Sequence, residues 1–211
     1  QSVANNLYLG EMFIRHGMDH ELNQHMQKLE RLFPDNIRVI RLIGTSHLAR
    51  GNPTKARTQF RRMSKAAGYN ELLLLDAARL LRAAGDLEGA EWALLKVLED
   101  DSRSLPAQIA LAEVQLASGK QEPAAGTVAA LMQFHPEEPG SHRLQAQLAM
   151  TRGDFAKAIA SYKQAIEMGD TESSVRQLYQ AYLMSGDVRA GVEFMQGQIE
   201  SAPKGRDNSR F

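Results

Sequence analysis

The chain has 211 residues, a hydrophobic content of 43% and a formal net charge of zero. Without a net positive charge it has no overall field that attracts nucleic acid or an anionic membrane. It contains no cysteine, which excludes disulfides and thiolate metal sites, and no apolar run of about 18 residues, so no membrane insertion is predicted.

Glycines recur at a nearly fixed spacing along the whole chain. Their separations are 34, 34, 34, 34 and 33 residues, and they stand at Gly17, Gly51, Gly85, Gly119, Gly153 and Gly186. A period between about 20 and 50 residues is typical of a solenoid built from one repeated supersecondary unit. A period of 34 indicates a pair of helices per repeat, and the repeats predicted in chain order are 3–36, 37–70, 71–104, 105–138, 139–171 and 172–205.

Small residues lie at fixed distances on both sides of these glycines. Five positions after the glycine the chain has Ala56, Ala90, Ala124 and Ala158, and seven positions before it Gly10, Gly44, Ala78, Ala112 and Ala146. Because a larger side chain would hold two helix axes apart, these positions predict close helix crossings.

Other residues near the glycines predict where helices begin and end. Glycine adopts the left-handed conformation that ends many helices. The position after it is a predicted N-cap in four repeats, at Asn52, Asp86, Asp154 and Asp187. Prolines that are predicted to end the second helix stand at Pro34, Pro136 and Pro203.

Between these boundaries the apolar residues have helical spacing. Ala56, Phe60 and Met63 lie at i, i+4 and i+7, and Ala158, Tyr162 and Ala165 repeat that pattern. We interpret this stripe as core packing rather than a cofactor site, and no cofactor is predicted. No stretch of alternating β-branched residues competes with it, so the predicted fold class is all-α.

The repeated residues resemble the tetratricopeptide repeat (TPR) pattern. The first, second and fifth repeats carry it at Leu9, Gly10, Phe13, Gly17, Met26, Leu29 and Pro34, at Ile43, Gly44, Gly51, Ala56 and Phe60, and at Ala146, Gly153, Phe155, Ala158, Tyr162 and Ala165. The resemblance implies a right-handed α-solenoid of about six helix-turn-helix repeats. Departures are Asn6, Gln108 and His142 at the consensus tryptophan position and Gln145 at a core leucine. We expect looser packing there.

The last two repeats narrow the resemblance. Residues 152–170 and 175–203 are similar to bacterial TPR proteins of exopolysaccharide and envelope export, of the PEP-CTERM/exosortase type. This similarity implies a periplasmic or envelope-associated protein, with a cytoplasmic location as the alternative. The chain opens on Gln1 rather than methionine, so we expect a segment of a longer protein, in which residues 206–211 form a polar tail or begin a further helix.

The resemblance also implies a binding surface, because TPR proteins bind partners in a concave groove lined by the first helix of each repeat. Transferred to this chain, the groove positions give Leu7, Glu11, Arg15, Arg38, Arg41, Thr45, Leu72, Leu75, Arg79, Arg82, Glu113, Leu116, Arg143, Gln147, Met150, Arg176 and Gln180. This set contains seven arginines and two acids. Arginine presents a planar fork of donors that suits carboxylates.

Two interpretations of these arginines stay open. They bind an acidic or extended polar segment of a partner protein, or they pair with acids on adjacent second helices and only solvate the groove. Partner binding measured after Arg41→Ala, Arg79→Ala and Arg82→Ala separates the two interpretations. Exposed apolar groove residues such as Leu72 favour ligand binding.

No catalytic motif is present. The sequence has no phosphate-binding glycine loop, no Gly-x-Ser-x-Gly and no His-Glu-x-x-His. His16 and His20 have the spacing of a helical metal pair, but Gly17 breaks the helix between them, so no metal site is predicted. The prediction is a non-enzymatic scaffold that binds a protein or peptide, and the alternative is a structural spacer within a larger multidomain protein.

Overall fold

A computed structural model describes residues 2–201, apart from the side chains of residues 171, 172, 200 and 201. All regular elements in this range are α-helices, which confirms the predicted all-α solenoid of helix pairs. The helices are α1 (Val3–Arg15), α2 (Asp19–Leu32), α3 (Ile37–Ala49), α4 (Pro53–Ala66), α5 (Glu71–Ala83), α6 (Leu87–Asp100), α7 (Leu105–Ala117), α8 (Gln121–Phe134), α9 (Pro139–Thr151), α10 (Phe155–Glu167), α11 (Thr171–Ser185) and α12 (Val188–Ser201). The predicted tail at 206–211 and the predicted helix stop at Pro203 lie outside the described residues.

The helices fall into two structural units, residues 1–118 and residues 119–211. The first unit contains α1 to α7 and the second contains α8 to α12. Within each unit, every helix packs against the next one along the chain. This sequential packing is what a helical repeat produces, because each helix pair buries its apolar face mainly against its neighbours.

The six repeat glycines form the turns between the two helices of a pair. All of them have positive φ, between 64° and 85°, where an L side chain would be strained. The next helix is capped as predicted at Asp86, Asp154 and Asp187, whose carboxylates accept a backbone N–H three residues later. The predicted cap at Asn52 is wrong. Pro53 occupies the first helical position, and the Asn52 amide donates to the Arg50 carbonyl instead.

Two helix crossings in the first unit require glycine. A Cβ atom on Gly44 would overlap the ring of Phe60 on α4. A Cβ atom on Gly10 would lie 2.6 Å from the Leu42 Cδ2 atom on α3. The absent side chains therefore allow α3 to approach α4 and α1 to approach α3, as the spacing of small residues predicts.

Each unit has its own apolar interior. In the first unit, the predicted stripe of Ala56, Phe60 and Met63 is fully buried. In the second unit, Ala158 and Ala165 are fully buried, and burial raises the pKa of the Tyr162 phenol to about 12. These side chains form the interior of the helix pairs, which supports their interpretation as core residues.

Three polar departures from the TPR pattern form side-chain hydrogen bonds. Gln108 Nε2 donates to the Ser102 carbonyl, and His142 Nε2 donates to the Pro136 carbonyl, each over 2.8 Å. Both bonds reach back six residues, from the first turn of α7 or α9 to the preceding loop. Gln145 Oε1 accepts a bond from Ser161 Oγ at 2.9 Å. These bonds satisfy part of the polar groups, whereas the buried Oε1 of Gln108 has no hydrogen-bond partner among the described residues. The looser packing expected at these positions stays a prediction.

Candidate functional site

The first helices of the first unit carry ten of the predicted binding positions up to Arg82. On α1, Glu11 and Arg15 are exposed, but Leu7 is only 4% exposed and packs with Leu22 and Met26. Leu7 is therefore a core residue, and the prediction that it contacts a partner is corrected. The helical face toward α2 includes this position, so its groove assignment does not transfer from the repeat pattern.

An acid that was not among the predicted site residues organises the arginines of α3 and α5. Asp76 Oδ2 accepts from Arg41 Nε at 2.6 Å, and Asp76 Oδ1 accepts from Arg79 at 2.7 Å. Burial alone would raise the pKa of Asp76, but the hydrogen bonds from Arg79 and Arg41 outweigh it and lower the pKa. Asp76 is three residues before Arg79 on one helix, a spacing visible in the sequence.

A second ion pair joins α5 to α7. Arg82 donates to Glu113 Oε2 at 2.7 Å, and both residues belong to the predicted set. The arginine side chain remains 47% exposed. Solvent reaches this pair, so its own contribution to stability is small, and its main effect is to orient the guanidinium.

The exposed part of this surface combines arginines with one apolar side chain. We use the name arginine face for Arg38, Arg41, Arg79 and Arg82 on α3 and α5. Leu72 lies on the same face of α5, four and seven residues before Asp76 and Arg79, and is 78% exposed. The remaining predicted positions of α3, α5 and α7 are half-buried, at Thr45, Leu75, Glu113 and Leu116.

The structure does not place the acids where the second interpretation expected them. In the ion pairs recorded for the arginine face within residues 2–201, the carboxylates belong to first helices, Asp76 on α5 and Glu113 on α7. Four arginines here face two carboxylates. The ion pairs therefore reduce the positive charge of this surface without removing it.

The predicted positions of the second unit form a more buried arrangement. Arg143 Nε lies 3.1 Å from Asp170 Oδ2, and both side chains are about one-fifth exposed, at 17% and 21%. Gln147 donates to Gln177 at 3.2 Å, and Met150 packs against the core of α10 and α11. The exposed members of the set are Arg176 and Gln180 on α11. Most of the binding positions predicted in the second unit are therefore partly covered and offer little area to a partner.

The histidines of the first repeat do not converge. His25 is buried and its Nε2 bonds to the Asn6 carbonyl at 2.8 Å, whereas His20 bonds to Gln24. Across residues 2–201, no three histidine, aspartate or glutamate side chains are arranged to hold a metal ion. None of the helices described in that range is both long enough and apolar enough to cross a membrane.

Comparisons with known proteins agree with this architecture. The tetratricopeptide repeat family matches residues 41–106, 109–173 and 143–198. No curated protein gives a significant match. Among solved structures, the chain is similar to PilW, described as a widely conserved type IV pilus biogenesis factor, with 14% identity, a TM-score of 0.66 and coverage of 98% of this chain and 96% of PilW.

Two further structures give the same result. Pseudomonas aeruginosa PilF is 15% identical, with a TM-score of 0.60 over 95% of this chain and 92% of PilF. MamA of Desulfovibrio magneticus is 18% identical, with a TM-score of 0.60 over 78% of this chain and 93% of MamA. These likenesses concern the fold, while the family match covers well over half of the chain. The chain belongs to the tetratricopeptide repeat family.

Proposed function

We propose that this protein is a non-catalytic scaffold that binds a partner peptide or domain on the arginine face and Leu72. One observation carries the proposal: Leu72 is 78% exposed on the same face of α5 as Asp76, which orients Arg41 and Arg79. An exposed apolar side chain next to oriented donors is a typical anchor for a peptide, because it combines desolvation with directional hydrogen bonds.

The chemistry of this surface favours an acidic partner. Arg41 and Arg79 share one carboxylate, so a partner carboxylate can add to the pair without leaving an arginine unsatisfied. Their side chains are 42% and 58% exposed, which leaves donor groups open to a ligand. Planar bidentate binding of carboxylates is the property that separates arginine from lysine.

The proposed setting is a bacterial envelope assembly, in the periplasm or at the envelope. The resemblance of the last two repeats to exopolysaccharide-export TPR proteins supports it, and so does the structural likeness to a type IV pilus biogenesis factor. A structural spacer without its own ligand is the alternative. The solvent exposure of Leu72 favours the scaffold, since a spacer gains nothing from an exposed leucine.

Binding of acidic peptides tests this proposal directly. The probe is a fluorescent twelve-residue peptide library with alternating glutamates and a central leucine or phenylalanine, measured by anisotropy against the 211-residue chain. We expect saturable binding that weakens with salt, and a loss of about tenfold or more in Arg79→Ala and Leu72→Ala. Arg31→Ala, an exposed arginine on α2, is the matched control. Equal binding by Arg31→Ala and Arg79→Ala, or no binding, contradicts the proposal.

A further inference from the structure

The second unit contains a cleft that the repeat pattern did not predict. It lies between α8, α9 and α10 and has a volume of about 430 Å³. Its floor is apolar and consists of Val128, Leu148 and Ala149, all less than 10% exposed. Its rim carries the charged residues Arg152, Asp154 and Lys157, just before and at the start of α10. Ligand sites typically have volumes of about 300–1,000 Å³ with an apolar lining and a few polar groups.

The corresponding place in the first unit is filled by that unit's own side chains. Two repeats earlier, 68 residues before Val128 and Ala129, the chain has Phe60 and Arg61 on α4. Phe60 is fully buried. Arg61 donates through Nε and Nη2 to the two carboxylate oxygens of Asp86, over 2.5 and 2.7 Å. In the second unit the equivalent positions hold valine and alanine, and both residues line the cleft.

The same substitution removes the side chain that would form an ion pair with the rim carboxylate, Asp154. Asp154 is the equivalent of Asp86, and its Oδ1 accepts the Lys157 N–H at 3.1 Å, as an N-cap does. Arg152, which also lines the cleft, forms its ion pair with Glu122 on α8 at 2.9 Å. Within the described part of the chain, Asp154 makes no ion pair. A carboxylate that binds a guanidinium in one unit is thus exposed above an apolar floor in the other.

We infer that this cleft is a second binding site, which receives an arginine side chain of a partner protein. The guanidinium binds Asp154 as Arg61 binds Asp86, and the aliphatic stem lies on the floor formed by Val128 and Ala149. Arginine fits better than lysine because its planar fork reaches both carboxylate oxygens. Lys157 on the same rim favours a partner segment in which an acidic residue neighbours the arginine.

Titration with short peptides tests the inference on the 211-residue chain. The probe is the blocked peptide Ser-Gly-Arg-Glu-Ser, and its matched control replaces arginine with citrulline, which keeps the shape and removes the charge. Methyl resonances of Val128, Leu148 and Ala149 report on the cleft, and those of Leu72 on the arginine face. We expect the arginine peptide to shift only the cleft methyls, saturably, with an affinity about ten- to a hundredfold above that of citrulline.

Two variants make the result specific. Asp154→Asn keeps an N-capping side chain and the helix start, and we expect it to lose the ten- to hundredfold preference for arginine. Ala129→Arg supplies the missing side chain from within the chain, and we expect it to close the cleft and abolish peptide binding. Circular dichroism of both variants confirms that the helices persist.

Several outcomes would overturn the inference. Equal shifts from the arginine and citrulline peptides remove the role of Asp154, and so does unchanged binding in Asp154→Asn. Stronger binding of a glutamate peptide would assign the cleft to an anionic ligand through Lys157. Self-association that Asp154→Asn abolishes, without peptide binding, would make a second copy of this chain the occupant. Cleft methyls that no peptide shifts would exclude a site altogether.

Discussion

Two junctions between successive helix pairs have the same backbone turn but different side chains packed between the helices. We compare the α4–α6 joint of the first unit, closed by Phe60, Arg61 and Asp86, with the α8–α10 joint of the second unit. In the α4–α6 joint, Arg61 on α4 forms an ion pair with Asp86, the N-cap residue of α6. In the α8–α10 joint the ion pair joins Glu122 on α8 to Arg152, which precedes α10. The acid is therefore on the earlier helix here, whereas in the first joint the cation is.

The difference shows what a helical repeat does and does not determine. Both joints keep a left-handed glycine and a capping aspartate, because these residues define the backbone turn. The side chains that fill the space between pairs are under no such requirement. Where large residues are replaced by Val128 and Ala129, the helices keep their order while a cleft opens. Binding surfaces of repeat proteins can therefore arise from substitutions that leave the fold unchanged.

The largest expected difference between the joints concerns their apolar filling. Phe60→Ala is predicted to lower the free energy of unfolding by about 3–5 kcal/mol, because it leaves a cavity in a fully packed interior. Val128→Ala, at the equivalent position, removes two methyl groups next to an existing cleft and should cost about 1–2 kcal/mol. Urea unfolding measures both. Equal losses would mean that the two joints are packed alike and that no cleft weakens the second one.

The capping aspartates provide the next test. Asp86→Ala removes a helix cap and also the partner of Arg61, so we expect a loss of about 2 kcal/mol. Asp154→Ala removes a cap alone, with an expected loss of about 1 kcal/mol. The difference between the two variants, read from the same unfolding curves, reports the ion pair of the first unit. A larger loss for Asp154→Ala would show that the second joint depends on an ion pair not identified here.

Lowering the pH should reduce the free energy of unfolding of the first unit through the Arg61–Asp86 ion pair. The hydrogen bonds from Arg61 hold the pKa of Asp86 below its usual value, although burial opposes them. A lowered folded pKa stabilises the protein above the unfolded value of about 4, and this contribution is lost as pH falls through the folded pKa. Because Arg61 is 55% exposed, we expect less than about 1 kcal/mol.

The measurement is the free energy of unfolding between pH 6 and pH 2.5. Arg61→Gln should flatten the acid slope, and Arg31→Gln on α2 serves as the matched control. Asp76 contributes in the same direction, because hydrogen bonds from Arg79 and Arg41 lower its pKa against the effect of burial. An unchanged slope in Arg61→Gln would contradict the assignment of the acid dependence to this pair.

The glycine spacing was sufficient to predict the helices, since glycine, aspartate and proline act locally on the backbone. Three of four predicted caps formed, whereas the Asn52 amide donates to the Arg50 carbonyl and its side chain caps no N–H of α4. The arginine pairs were only partly predictable. Asp76 serves two arginines from two different helices, and such a contact depends on how side chains cross between repeats rather than on spacing within one.

Burial also set a limit to prediction at the candidate sites. Leu7 and Arg143 occupy groove positions in the repeat pattern, yet Leu7 is a core residue and Arg143 is largely covered at Asp170. The cleft at Val128 was visible in the sequence only as a smaller residue in a column that holds Met26, Phe60, Leu94 and Tyr162 in other repeats. That this residue lines a cleft could be seen only from the positions of α9 and α10, which bring Leu148 and Asp154 next to it.

The smallest expected effect is also the most direct test of the comparison. Ala129→Arg places in the second unit the arginine that closes the first, and the carboxylate it needs is already present at Asp154. We expect a gain of about 0.5 kcal/mol in the free energy of unfolding, since the new pair stays partly solvated and Lys157 opposes it. Ala129→Gln has a similar stem without the charge and should give no gain. If glutamine stabilises as much as arginine, filling the space matters and the charge does not, so the two joints would differ only in volume.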